Sequence, residues 1–199
     1  KPEKNMELLC LMGRIWWGRL KQGKKAVECF RKALGMDNSY IPALTGLSAV
    51  YREEKDWNSL LSTYEILGPL LPDPAIGAQL LVQTARSWKK LGKDERAVSC
   101  FRLALERDPA HPQALNGLIE LFKEQGKWEE WIEYTERLLG TIEKPETALD
   151  IHFEVARVWK EELKDLKRAD EKYRGILLLD PGNAQACAAL EEIYTIQER

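Results

Sequence analysis

The stretch AQLLVQTARSWKKLGKDERAVSCFRLALERDPAH, residues 78–111, decides the fold. Its apolar residues fall at helical spacing in two runs: Leu81, Ala85, Trp88 and Leu91, then Ala97, Phe101, Ala104 and Leu105. Gly92-Lys93-Asp94 separates the runs. Asp108-Pro109 ends the second, because proline cannot continue a helix and restricts the residue before it. The pattern predicts a helix, a tight turn and an antiparallel helix. No sustained period-two alternation bounded by hairpin signals occurs, so strands are not expected.

The same pattern recurs along the chain. Trp16, Trp88 and Trp159 are 72 and 71 residues apart; Ala26, Ala97 and Ala169 are 71 and 72 apart, as are Ala43, Ala114 and Ala186. Trp57 and Trp128 repeat the 71-residue step. The chain is therefore a tandem of about 71-residue units, each dividing into two helical halves. Where the second helix of a half crosses the first, alternate halves differ. The odd ones carry Ala26/Ala33, Ala97/Ala104 and Ala169; the even ones carry Leu60/Leu67 and Trp131/Leu138. The spacings Gly13 to Ala26 and Ala156 to Ala169, 13 residues each, place one extra residue in the inter-helix turn of the first and fifth halves.

With Trp88, Gly92, Ala97, Phe101, Ala104 and Pro109, the half from Ala78 to His111 resembles a tetratricopeptide repeat. The half with Ala156, Trp159, Ala169, Tyr173 and Pro181 is similar. The resemblance implies an all-α fold: a right-handed α-solenoid of five helix hairpins and a C-terminal capping helix. By register the repeats span 6–40, 41–77, 78–111, 112–148 and 149–183, with a terminal helix at 184–197. Together they read as one domain over 1–199.

Composition narrows the function classes. The 199 residues are 44% hydrophobic and 31% charged, with 30 Lys+Arg against 32 Asp+Glu and a net charge of -2. That balance gives no field to draw in nucleic acid or anionic lipid, and no apolar run is long enough to span a membrane. Cys10, Cys29, Cys100 and Cys187 form no CxxC pair, which points to a reducing, cytoplasmic setting. Residues 1–5 carry no start Met and no signal-peptide core, so a fragment of a longer protein is expected.

Enzyme motifs do not assemble. Gly18 to Lys25 fits GxxxxGK, but Lys25 stands where a phosphate loop needs Ser or Thr, and the motif follows a helix. Gly23-Lys24 instead matches the turns at Gly92-Lys93 and Gly126-Lys127. His111 falls in an inter-repeat loop beside Pro109 and Pro112, and His152 has no Cys or His at helical spacing. No catalytic residue, metal ligand or cofactor is expected. Six of the seven tryptophans read as repeat packing. Trp17 stands where the repeat elsewhere places Lys89 and Lys160, which marks either a contact with sequence N-terminal to residue 1 or a binding anchor.

In arrays of this family the first helix of each hairpin lines the concave side. By register this brings inward Glu7, Cys10, Arg14 and Trp17, then Thr45, Ala49 and Arg52, then Gln79, Val82, Arg86 and Lys89. Asn116, Glu120, Lys123, Asp150, Phe153, Arg157, Lys160 and Glu192 continue the row. Val82/Arg86/Lys89 and Phe153/Arg157/Lys160 are equivalent triplets, each an apolar spot beside two cations. The expected partner is a protein or peptide segment, acidic with apolar anchors. The Lys/Asn/Arg set with which chaperone-binding members clamp a C-terminal carboxylate is missing: Cys10, Arg14, Thr45, Gly46, Val82 and Arg86 stand there. A structural spacer or self-associating module of a larger multidomain protein is the alternative.

Overall fold

Asp56, Asp73 and Asp165 each precede a helix and accept hydrogen bonds from its first-turn N–H groups: from Ser59 (3.2 Å), Ala75 (2.9 Å) and Arg168 (3.0 Å). Such caps satisfy donors that the helix itself leaves unpaired. The computed structural model describes residues 2–142 and 145–197, and every regular element among them is an α-helix. In chain order they are α1 (Pro2–Gly18), α2 (Gly23–Leu34), α3 (Ile41–Glu53), α4 (Trp57–Leu70), α5 (Pro74–Lys90) and α6 (Asp94–Arg107). Then follow α7 (Pro112–Glu124), α8 (Trp128–Leu139), α9 (Pro145–Glu161), α10 (Leu166–Leu179) and α11 (Ala184–Gln197). The chain forms two compact units, Lys1–Ala114 and Leu115–Arg199, divided within α7.

The turns inside the hairpins share one geometry. Lys21 (φ 52°), Lys55 (58°), Gly92 (68°), Gly126 (65°) and Lys164 (55°) sit in the left-handed region that ends helices. In the middle three hairpins, Asp56, Lys93 and Lys127 donate their N–H to carbonyls five residues back: Tyr51, Trp88 and Phe122. In the first and fifth the span is six, from Gln22 to Trp16 and from Asp165 to Trp159, each at 2.9 Å. The extra residue expected in those two hairpins is taken up there. One expectation is corrected: the counterpart of Gly92 in the first hairpin is Lys21, not Gly23. Gly23 opens α2 and is buried, facing the carboxylate end of Glu54.

In the first unit, Phe30 of α2 fills a slot between α1 and α3. A Cβ on Gly13 would come within 2.8 Å of its ring and one on Gly46 within 2.4 Å. Ala26, Ala33, Ala97 and Ala104 are completely buried at the helix crossings, and the larger Leu60 and Leu67 are buried too. At the α4–α5 junction backbone approaches backbone: a Cβ on Gly77 would lie 2.6 Å from the Gly68 carbonyl oxygen. Arg107 of α6 donates to the Leu71 carbonyl in the same junction. In the second unit, Phe122 stacks on Tyr134 with centroids 5.6 Å apart, and Trp128 meets Trp131 edge-on at 6.2 Å. Ala156, Ala169, Ala186 and Ile193 are completely buried. Interleaved small and large side chains of this kind fill a core to native density.

Candidate functional site

In the first unit, α5 presents Gln79, Gln83 and Arg86 to solvent. Arg86 makes no hydrogen bond or ion pair among the described residues. Arg52 of α3 is also exposed and donates to the Tyr64 hydroxyl on α4. Lys89 is half-buried, and so is Trp17, which packs against the first core with Lys21 Nζ 5.8 Å from its ring. Val82 corrects the sequence reading: it is 0% exposed and belongs to the core. The buried arc of α5, with Ala78, Leu81, Ala85 and Trp88, is broad enough to take in its neighbour. Cys10 is buried for the same reason on α1. A second correction runs the other way: Trp57, expected to pack, opens α4 with 53% of its surface exposed.

In the second unit, α9 brings Asp150, Phe153, Glu154 and Arg157 to the wall of a cavity of about 350 Å³, completed by Tyr173 of α10 and Gln185 of α11. Phe153 is half-buried, its ring tilted on Tyr173 at 6.2 Å. Tyr173 is 5% exposed, and its hydroxyl has no hydrogen-bond partner among the described residues. Burial pushes that phenol's pKa up, Glu161 adds to the effect and Arg157 opposes it. Asp150 is exposed and likewise unpaired among the described residues.

The cations of this unit are already engaged. Lys123 of α7 pairs with Glu154 of α9 at 2.7 Å, and Lys160 of α9 with Glu192 of α11 at 2.5 Å. Arg157 lies 3.9 Å from Glu161 one turn on. The excess of positive charge expected at Lys123, Arg157 and Lys160 is therefore neutralised by neighbouring carboxylates, two of which, Glu154 and Glu161, the register reading left out. Among the described residues no group of three or more His, Cys, Asp or Glu is placed to hold a metal ion, and no helix is long and apolar enough to cross a membrane.

Residues 78–111 match the family model described as "Tetratricopeptide repeat". That one hairpin, α5 and α6, is thus similar to a tetratricopeptide repeat. Curated proteins yield no match to the chain. Among solved structures it is similar to YrrB, titled "a TPR protein with an unusual peptide-binding site", at 14% identity over 92% of this chain and 90% of that one, with a TM-score of 0.41. It is similar to MamA at 12% identity over 92% and 96%, TM-score 0.44. It is also similar to the thermophilic protein TTC0263 of Thermus thermophilus, at 16% identity over 96% and 99%, TM-score 0.36.

Register reading missed the cations that cover the tryptophans. Lys25 sits over Trp16 at 4.4 Å, Arg96 over Trp88 at 3.9 Å and Arg168 over Trp159 at 4.4 Å. These cations are themselves 71 and 72 residues apart, so the signal was present in the spacing. Each comes from the second helix of a hairpin onto the first, an attraction that strengthens where water is excluded. Arg96 also holds Glu65 of α4 through two bonds, at 3.1 and 2.5 Å, and Ser62 at 2.9 Å. Cys100 Sγ lies 3.5 Å from the same carboxylate; burial foremost, and that charge next, push its pKa far up. This thiol is a core group.

Proposed function

We propose that the chain is a protein-interaction scaffold without catalysis of its own, and that partner segments bind along the first helices of its hairpins. The observation carrying this reading is that register positions on those helices are left open. Arg52, Gln79 and Arg86 in the first unit, and Asp150 and Arg157 in the second, are exposed although their helices are otherwise core-packed. Arg52 and Arg86, which have no carboxylate partner among the described residues, are available to acidic groups of a partner through charge-assisted bonds. Phe153 and Trp17, both half-buried, supply apolar contact. A cytoplasmic setting accords with four free cysteines, three of them buried.

Site-specific photocrosslinking tests the reading. A crosslinker at Gln79 or Gln185, on first-helix faces, is expected to trap partner protein, while one at Glu95 or Lys167, exposed on second helices, is not. Trapping only from Glu95 and Lys167 would reverse the assignment.

A second reading, self-association, has its own observation. Leu8 (57% exposed), Leu11 (53%), Met12 (48%) and Ile15 (43%) form an apolar row along α1. Sedimentation coefficients that rise with concentration, and stop rising in Met12→Glu, would support it. A concentration-independent monomer would remove it.

A further inference from the structure

We infer that the second-unit cavity is an anchor site for a cationic side chain, a Lys or Arg of a partner segment, and that it does not select acidic groups. The inference rests on the scaffold reading above and names the chemistry of one of its sites.

Charge is the first reason. Two carboxylates, Asp150 and Glu154, and one guanidinium, Arg157, face the cavity. Glu154 is shared with Lys123 at 2.7 Å, and Arg157 is drawn toward Glu161 at 3.9 Å, which leaves Asp150 as the unspent charge. A partner carboxylate entering here meets two like charges; an ammonium or guanidinium meets an unpaired opposite one.

Shape and chemistry of the wall are the second reason. Phe153 and Tyr173, 6.2 Å apart, form an aromatic wall against which a methylene stem packs and a cation is attracted by the ring faces. The Tyr173 hydroxyl is a hydrogen-bonding group on a side chain 5% exposed, lining the cavity, with no protein partner among the described residues. It is therefore available as an acceptor to a donor entering the cavity. Gln185 adds an amide oxygen.

The repeat itself supplies the control. One unit earlier, the positions of Asp150, Phe153, Glu154 and Tyr173 are held by Gln79, Val82, Gln83 and Phe101. Val82 and Phe101 are 0% and 1% exposed. The carboxylates, the accessible ring and the hydroxyl are thus all absent where the scaffold needs only packing. Their joint appearance on α9 and α10 is not a requirement of the fold.

A peptide-display selection on the immobilised full chain tests this. A random library of short peptides is enriched on the wild type, and the enriched peptides are synthesised and titrated against wild type, Asp150→Asn and Tyr173→Phe. Both variants keep the side-chain shape, and circular dichroism checks their fold. The expected result is enrichment of peptides bearing Lys or Arg beside an aliphatic residue, binding roughly tenfold more weakly to Asp150→Asn and measurably more weakly to Tyr173→Phe. Enriched peptides that are acidic at the shared position, or basic peptides that bind both variants as well as wild type, would overturn the anchor while leaving the scaffold reading intact. No enrichment at all would overturn both.

Discussion

Arg86 and Arg157 occupy the same register position one unit apart, yet their surroundings have opposite character. Around Arg86 stand Gln79 and Gln83, with Val82 sealed in the core; around Arg157 stand Asp150 and Glu154, with Phe153 half-open above a cavity. The first-unit arginine has no ion pair among the described residues, and the second has Glu161. A second pair of equivalents repeats the lesson. Glu65 and Glu136 are 71 residues apart; the first is gripped by Arg96 within a network reaching Ser62 and Cys100, while the second pairs with the side chain of Lys172 at a more open site. A repeat fixes backbone and core at each position, but it leaves the charge of the neighbours free. That freedom gives the two units open faces of different charge.

The comparison breaks most visibly at its apolar member. Val82→Asp puts a charge into a closed core and is expected to cost about 3 kcal/mol or more in denaturant unfolding, against about 1 kcal/mol for Phe153→Asp at the cavity edge. Equal losses would mean that the two positions are not differently buried. Next in size are the carboxylates. Glu65→Gln is expected to lose about 1–2 kcal/mol, because it strips a charge-assisted network, and Glu136→Gln under about 1 kcal/mol, because its pair is exposed and screened. Melting curves at low and high salt separate them: the Glu136 effect should fade with salt.

The turns sharpen the comparison at smaller scale. Gly92→Ala puts a Cβ into the left-handed region and is expected to cost about 1 kcal/mol, whereas Lys55→Gly at the equivalent turn is expected to be neutral or slightly stabilising. Smallest is a pH effect confined to the second unit. Burial, helped by Lys172, lowers the pKa of His152 below its usual 6.5. The folded protein then binds that proton less well than the unfolded chain, so stability is full above about pH 6.5 and falls as pH drops from there toward the lowered value. His152→Gln should flatten that slope, measured as midpoint against pH between about 5 and 7.

How much the sequence revealed follows from the same division between backbone and neighbours. Helical runs, the turn after Leu91 and the stop at Asp108-Pro109 were legible because periodicity and proline act locally. The extra turn residue before Ala26 and Ala169 was legible because a repeat makes an insertion visible. Lys21 was missed as the turn residue because the nearby Gly23 is the commoner left-handed choice. Val82 was misjudged because register tells which helix face a residue occupies, not how far the buried arc extends. The neutralised cations were misjudged because Glu154 and Glu192 reach Lys123 and Lys160 from the next first helix, 31 and 32 residues on. Such distances carry no local signal.

The central claim is that the open faces of the first helices are the working surface. Amide chemical-shift mapping of the labelled full chain, titrated with a peptide selected on it, tests this most directly. The account predicts shifts on α5 or α9, strongest about Arg86 or about Asp150 and Phe153, with the exposed residues of α6 and α10 unmoved. Shifts gathered on α6 and α10, with α5 and α9 silent, would contradict it.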